Sequence, residues 1–386
     1  MIQSQTFEIE DKKIQLKLEI LQNDNFIVQS TPYNYSVNFI DDNELKSILS
    51  TINITNGSKH FMFVDNNVDI IYKQTHWPKY DILTLKAIEK NKTISSSLIL
   101  IDKLNSINFT KEDIFISIGG GITQDISAFG RAIFKRGITW NYIPTTLLAM
   151  SDSCIGSKSA INYNNTKNLI GLFSAPHNIY INTDFLKTLE VKEILSGYGE
   201  IIKLCIVGGH FTIKYFQDLT TNKNDNLLNN IKHLIKISLL VKKSVIEFDE
   251  FENNIRKALN YGHTVGHAIE PLVDFNIPHG IAVMIGIIIE NEIATNCGNF
   301  NVKECVYLNK IIFQYIDIES INLLKNIKID DLYDNMLKDK KNQKNIINFA
   351  VPNKIGKFEI IKISKSENLK HVIMNAINNI INLNYK

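Results

Sequence analysis

The feature that most constrains this chain is one short segment, DIFISIGGGITQD. Ile114 to Ile118 form a brief apolar run, and Gly119, Gly120 and Gly121 follow it directly. Beyond them, ITQDISAFGRAIF continues with apolar residues at helical spacing. A buried strand that turns through glycines straight into a helix belongs to a parallel sheet covered by helices. Neighbouring segments agree: IQLKLEIL, FIVQS and YSVNFI alternate like half-buried strands, and HFMFVDNN is an apolar run ending in Asp65 and two asparagines. After about Thr183 the apolar period becomes three and four, in LKTLEVKEILSGYGEIIKLCIV, NLLNNIKHLIKISLLVKKSVIEF and IAVMIGIIIENEIATNCG. The pattern predicts an α/β domain over 1–184, with 1–35 an unassigned extension, and an all-α domain over 185–386.

Composition narrows the function classes. Hydrophobic residues are 44% of the 386 and charged residues 21%, which supports a buried core and excludes a mostly disordered chain. Lys plus Arg total 42 against 40 for Asp plus Glu, a net charge of +2 without a basic tail, so nucleic acid is not an expected partner. The longest apolar stretch, Ile281 to Ile289, is too short to span a bilayer. Cys154, Cys205, Cys297 and Cys305 share no CxxC spacing, and MIQSQTFEIEDKK lacks the basic-then-apolar order of a secretory leader. A soluble, cytoplasmic protein is the expectation.

Glycines at a strand-to-helix turn let the backbone approach a ligand, and the helix N-terminus offers unpaired N–H groups, so a diphosphate fits there. The spacing is not the GxGxxG of the common Rossmann turn. Asp125 falls early in that helix, where the helix dipole also favours a carboxylate. Asp65 is placed as a ribose hydroxyl acceptor would be, and equally as an ordinary strand-end turn former.

NYGHTVGHAIE holds His263 and His267 four apart, hence on one face of a helix, and His279 follows at the start of an apolar helix. Two imidazoles plus a carboxylate leave a coordination position open on zinc, the arrangement of catalytic zinc sites. The carboxylate with the best claim is Glu200 in SGYGEIIKLCIV, where it and Lys203 interrupt an apolar helix. Buried, such a pair is costly without partners or a metal; the alternative is a surface i,i+3 ion pair. Arg136, Asp152, Lys158, Lys167 and Asn168 then fall within one apolar, small-residue stretch, and Lys242, Arg256 and Lys340 come later. Cations among apolar and glycine neighbours suit phosphate or carboxylate recognition.

Together, GGGITQD, RGITWNYIPTTLLAMSDSCIGSK, TKNLIG, TDFLKTL, GYGEIIK, RKALNYGHTVGHAIE, HGIAVMIG and DKK resemble the 3-dehydroquinate synthase family, in order and nearly in spacing. The chain departs from it in reading GGGITQDISAF for GGGVxGDLAGF and IGSK for VGGK, and IEKNK (Glu89, Lys92) matches the family's lysine-ended loop only faintly. The resemblance implies a Rossmann-like NAD-binding domain, a helical metal-binding domain and a homodimer. It implies conversion of a 3-deoxy-heptulosonate 7-phosphate to a carbocycle, by transient oxidation of a ring carbinol, phosphate elimination, re-reduction and intramolecular aldol closure. It assigns Zn2+ or Co2+ to Glu200, His263 and His279. NAD falls to Asp65, Glu89, Lys92, Gly119–Gly121, Asp125, Thr145, Thr146, Lys158, Lys167, Phe185 and Thr188. Lys203 would stabilise an oxyanion or position Glu200, and His267 would move a proton. Asp152, Lys158, Asn168, Lys242, Asn260 and Lys340 would line the substrate pocket. Arg136 fits a phosphate ligand, from its own subunit or across the dimer, and Arg256 would face the substrate carboxylate. Rival readings are a cyclase for a neutral sugar phosphate, of the 2-deoxy-scyllo-inosose or epi-valiolone synthase type, and a metal-dependent polyol dehydrogenase. A non-enzymatic binding protein is the third.

Overall fold

In the computed structural model, residues 5–51, 58–78, 81–164, 166–221, 226–337 and 345–385 are described. They fall into two compact units, Glu19–Leu189 and Met1–Leu18 with Glu190–Lys386. The chain opens with β1 (Gln5–Ile9) and β2 (Lys12–Leu16), which belong to the second of these.

The α/β unit begins with β3 (Asn25–Val28), β4 (Tyr35–Phe39), α1 (Asp42–Thr51), β5 (His60–Asp65), α2 (Asn66–Tyr72) and β6 (Asp81–Leu85). It continues through α3 (Ile94–Ser106), β7 (Ile114–Gly119), α4 (Gly121–Ile133), β8 (Trp140–Pro144), the hairpin β9 (Lys158–Tyr163) and β10 (Thr166–Phe173), and β11 (Asn178–Ile181). Seven strands form one sheet in the order β3-β4-β11-β8-β7-β5-β6, parallel except for β3 against β4. Its central strands are buried nearly end to end, as β-branched and aromatic runs covered on both faces must be. The predicted strand–glycine–helix unit is therefore at the middle of the sheet, with Gly120 as the N-cap of α4.

The second unit is helical: α5 (Val191–Val207), α6 (His210–Thr220), α7 (Ile231–Ile246), α8 (His263–Ile269), α9 (His279–Asn296), α10 (Val302–Phe313), α11 (Ile318–Leu324), α12 (Ile329–Leu337) and α13 (Glu367–Ile381). Every residue of α9 from Gly280 to Asn291 is buried, which is why its sequence is apolar all round rather than on one stripe. α5, α8, α10 and α13 pack against it. This unit also holds a four-stranded sheet, in which β12 (Ile346–Lys354) and β13 (Lys357–Ser364) are extended by β1 and β2. β1 runs parallel to β13, with Glu8 opposite Lys357.

The observed division after Leu189 differs from the 184/185 boundary read from the sequence, because the turn Thr183–Thr188 closes the α/β unit. The 1–35 extension is no single piece either. Phe7, Ile9, Ile14 and Leu16 are buried in the sheet of the helical unit, whereas Val28 and Tyr35 are buried in the α/β unit. Among the described residues, no helix is long and apolar enough to cross a membrane.

Candidate active site

Three helices of the helical unit bring the ionisable residues together. α5 is buried from Ser196 to Val207, and Glu200 and Lys203 sit on it 1% and 2% exposed. A surface ion pair is thereby excluded. α8 and α9 begin at His263 and His279, and the close approach of the helices depends on glycine. A β-carbon on Gly199 would overlap the Gly280 carbonyl, and one on Gly280 would overlap the Ser196 carbonyl. α5 and α9 thus touch backbone to backbone beside Glu200 and His279.

The side chains converge accordingly. Glu200 Oε1 lies 3.3 Å from His279 Nε2 and 3.6 Å from His263 Nε2, and Lys203 Nζ sits against Oε2. His263 Nδ1 donates to the Tyr261 carbonyl at 3.1 Å, and His279 Nδ1 lies 2.8 Å from Glu270 Oε1. With each Nδ1 so engaged, Nε2 of both rings is left to serve as a ligand. His267 joins them: ligand atoms of His263, His267 and His279 all lie within 4.8 Å of one another.

Burial opposes ionisation of Glu200, but the Lys203 cation, then His279 and His263, hold its carboxyl well below the usual range. Burial and then Lys203 push His263 well below the ordinary imidazole value, favouring the neutral form that binds metal. Although burial works against it, the Glu200 and Glu270 carboxylates push His279 up to about 10. Neither buried oxygen of Glu200 accepts a well-aligned hydrogen bond. A charged carboxylate with unspent acceptors, beside two imidazoles aimed at it, fits a divalent ion such as Zn2+ or Co2+. The orienting role of Glu270 was not read from the sequence, although its place in HAIE, close behind His267, was visible.

Lys242 on α7 and Arg256 on the turn Ile255–Asn260 are both buried. Arg256 donates through Nη1 to the Glu250 carbonyl, and Asn260 Nδ2 donates to Glu252 Oε1 at 2.9 Å. The turn is shaped by Asp249, whose carboxylate accepts the backbone N–H groups of Asn253, Asn254 and Arg256 at 2.9, 2.8 and 3.0 Å. Lys340 lies outside the described residues.

In the α/β unit the glycine turn joins the carboxyl ends of the central strands. Thr145 N donates to the Gly119 carbonyl at 3.1 Å, and Thr146 Oγ1 accepts from Ala149 N at 3.2 Å. Asp152 follows in the turn Ala149–Ser153, which Gln124 of α4 clamps through Ser153. A second cluster forms around Lys92, whose Nζ reaches Asp125 Oδ2 at 2.6 Å and Asn168 Oδ1 at 2.8 Å. Lys167 Nζ stands 3.9 Å from Glu89 Oε1, and Asn162 bonds the same oxygen. Glu89, Lys92, Asp125, Lys167 and Asn168, from three separate segments, are joined through Asn162 into one polar patch.

Asp65 Oδ1 caps α2 by accepting from Asn67 N at 2.9 Å, and burial raises its carboxyl. At the other end of α2, Tyr72 packs edge-on against Phe185 with ring centroids 4.8 Å apart, and its hydroxyl meets Thr188 Oγ1 at 3.0 Å. Lys158 is exposed at the start of β9. Arg136 is exposed too, and it precedes the amino end of β8, whose carboxyl end lies beside Gly119. It therefore stands at the end of the sheet opposite the glycine turn.

Known proteins resemble this chain in sequence and in fold. The family model for the 3-dehydroquinate synthase N-terminal domain matches residues 82–196, and that for the C-terminal domain matches 197–342. The chain is 34% identical over 328 residues to 3-dehydroquinate synthase of Thermoanaerobacter sp. (strain X514), covering 81% of this chain and 90% of that protein. Its fold is similar to that of 2-deoxy-scyllo-inosose synthase complexed with carbaglucose-6-phosphate, NAD+ and Co2+, with a TM-score of 0.74, 21% identity, and 91% and 99% of the two chains covered. It is also similar to 2-epi-5-epi-valiolone synthase from Streptomyces hygroscopicus with NAD+ and Zn2+ bound, with a TM-score of 0.73, 17% identity, and coverage of 93% and 99%. The chain belongs to the 3-dehydroquinate synthase family.

Proposed function

We propose that the protein is a phosphate-eliminating cyclase that converts 3-deoxy-D-arabino-heptulosonate 7-phosphate to 3-dehydroquinate and phosphate. The observation that carries this reading is the convergence of His263 and His279 on the buried Glu200–Lys203 pair, in a chain of this family. When bound, a divalent ion supplies Lewis acidity toward a carbinol or ketone oxygen, and NAD supplies a hydride acceptor that is regenerated within the cycle. The cyclase structures with NAD+ and with Co2+ or Zn2+ support the same pair of cofactors here.

The chain's own residues have separable tasks. Glu200, His263 and His279 would hold the ion, with Glu270 fixing the His279 ring. Lys203 holds a positive charge where negative charge develops on the reacting oxygen. His267, whose ring meets those of His263 and His279, is the group to move a proton at the carbinol. Gly119–Gly121 would admit the diphosphate of NAD, with Asp65, Glu89, Lys92, Asp125, Thr145, Thr146, Lys158, Lys167, Phe185 and Thr188 around it. Asp152, Lys158, Asn168, Lys242, Asn260 and Lys340 would bind the substrate, and Arg256 its carboxylate. Arg136 serves a phosphate in a partner subunit, a role its place at the far end of the sheet supports, and the enzyme acts as a cytoplasmic homodimer.

Phosphate release measured with a panel of seven-carbon phosphates, with the product identified by NMR, tests the reaction. The expected result is 3-dehydroquinate from the heptulosonate, with no net NADH. Equal turnover of sedoheptulose 7-phosphate would move the enzyme to the neutral-sugar cyclases, and stoichiometric NADH would make it a polyol dehydrogenase.

A further inference from the structure

We propose that Glu290 is a positioning residue of the metal centre, which sets the His263 imidazole by holding the backbone where α8 begins. The proposal rests on reading Glu200, His263 and His279 as the ligands.

Glu290 is 0% exposed and lies within the run of α9 that is buried on all sides. An acid there is costly unless its oxygens are bonded. Both are: Oε2 accepts from Gly262 N at 2.7 Å and Oε1 from Val265 N at 3.2 Å. The first N–H groups of a helix have no acceptor within it, and Gly262, the N-cap of α8, has no side chain to supply one. The acceptor comes instead from α9, the helix that carries His279 at its own first residue. One rigid helix therefore fixes a ligand directly and, through Glu290, the start of the helix bearing another.

The backbone around Gly262 has no slack in which to compensate. Its φ is +78°, and a β-carbon there would stand 2.6 Å from the Val283 carbonyl of α9. Beside it, the Tyr261 hydroxyl donates to Asn291 Oδ1, so adjacent residues of α9 hold adjacent residues of the turn. The Tyr261 carbonyl is also the group that orients the His263 ring. A displaced turn would move both the Cα of His263 and the bond that aims Nε2. Glutamine at position 290 keeps the shape but offers one acceptor and one NH2 donor, so one of the two backbone N–H groups loses its partner.

Metal-free full-length protein titrated with Zn2+ against a chelator of known affinity gives the Kd of wild type, Glu290→Gln, Glu290→Asp and His263→Ala. Visible absorption of the Co2+-loaded proteins reports the ligand geometry. Glu290→Gln is expected to bind Zn2+ roughly 10–100-fold more weakly, to alter the Co2+ bands, and to keep wild-type far-UV circular dichroism and NAD affinity. Glu290→Asp keeps both acceptors one methylene further back, so a smaller loss is expected. It carries the same comparison if Glu290→Gln does not fold. Wild-type Kd and Co2+ bands in both Glu290 variants, alongside metal loss in His263→Ala, would overturn the proposal and leave the ligand reading standing. Tight metal binding by His263→Ala would instead remove the ligand reading, and the proposal with it. Failure of both Glu290 variants to fold even with metal present would assign Glu290 to the fold alone and also overturn it.

Discussion

At Gly280 of the helical unit, an added β-carbon would overlap the Ser196 carbonyl, whereas at Gly121 of the α/β unit the nearest atom would be Ser153 Oγ, 3.7 Å away. Both glycines stand in the first turn of a helix at a proposed binding site. The first is filled by protein, and the second would accept a β-carbon at ordinary contact distance. In the helical unit, ligand positions follow from backbone packing that tolerates no added atom. In the α/β unit, they follow from strand ends and short turns that leave room for another molecule. Glycine thus serves packing in one place and, on the proposed function, admits a ligand in the other.

Paired substitutions would break this comparison if it is wrong. Gly280→Val should cost the helical unit at least ~3 kcal/mol, or prevent it from folding, because backbone rather than a movable side chain blocks the new atoms. Gly121→Val should leave the urea midpoint close to wild type while weakening NAD about tenfold or more, measured by calorimetry. Gly120→Val is a poorer probe, since its β-carbon would stand 2.9 Å from the Thr146 methyl and disturb the turn directly. Similar stability losses in Gly280→Val and Gly121→Val would erase the distinction.

The same contrast governs how much was legible in the sequence. Glu200 and Lys203 stood out because two charges interrupt an apolar helical stripe, and both are buried as that implies. His263, His267 and His279 were legible from spacing, and their rings do meet. The acceptor roles of Glu270 and Glu290 were not, because a hydrogen bond from one helix to the next leaves no periodic trace. Strand β1 pairs with β13 from the far end of the chain, and nothing local specifies so distant a partner. Lys92, Asp125 and Asn168 were divided between cofactor and substrate, yet one ammonium group joins them. Local patterns reached elements and residue types, and contacts between distant segments supplied the rest.

Arg256 sharpens the comparison at the level of substrate choice. It is 3% exposed, so it is no solvated surface cation. A buried guanidinium facing a substrate carboxylate can give it two parallel hydrogen bonds, which a neutral hydroxymethyl group cannot accept as a charged pair. Losing that match costs roughly 2–3 kcal/mol, or about 30–150-fold in preference for the heptulosonate over sedoheptulose 7-phosphate. Arg256→Ala should reduce that ratio of kcat/KM values by about this factor. Unchanged selectivity would detach Arg256 from the carboxylate.

The smallest expected effect concerns the support beneath Arg256, and it has a counterpart in the other unit. Asp249 gathers the backbone N–H groups of Asn253, Asn254 and Arg256, and Asp113 likewise gathers those of Lys59 and Thr110 at 2.7 and 2.6 Å. Burial raises each carboxyl, but the bonded N–H groups and a nearby cation more than offset it, so both pKa values are lowered in the folded state. A lowered folded value means that the stabilisation is fully present above the unfolded carboxyl value of about 3.9 and is lost as pH falls through the folded one. Asp249→Asn keeps one carbonyl acceptor but adds a donor that cannot bond an N–H group. It should therefore cost about 1–2 kcal/mol in urea unfolding at pH 7, and lower the selectivity that depends on Arg256. The difference from wild type should persist to about pH 5 and shrink as pH falls below about 3.9, where the unfolded chain takes up a proton that folded Asp249 still excludes. Asp113→Asn should show the same pH dependence without any change in selectivity, because its bonds hold the starts of the interior strands β5 and β7 rather than the Arg256 turn. A stability difference for Asp249→Asn that stays constant down to pH 3 would mean that the charge of Asp249 is not what orders the turn.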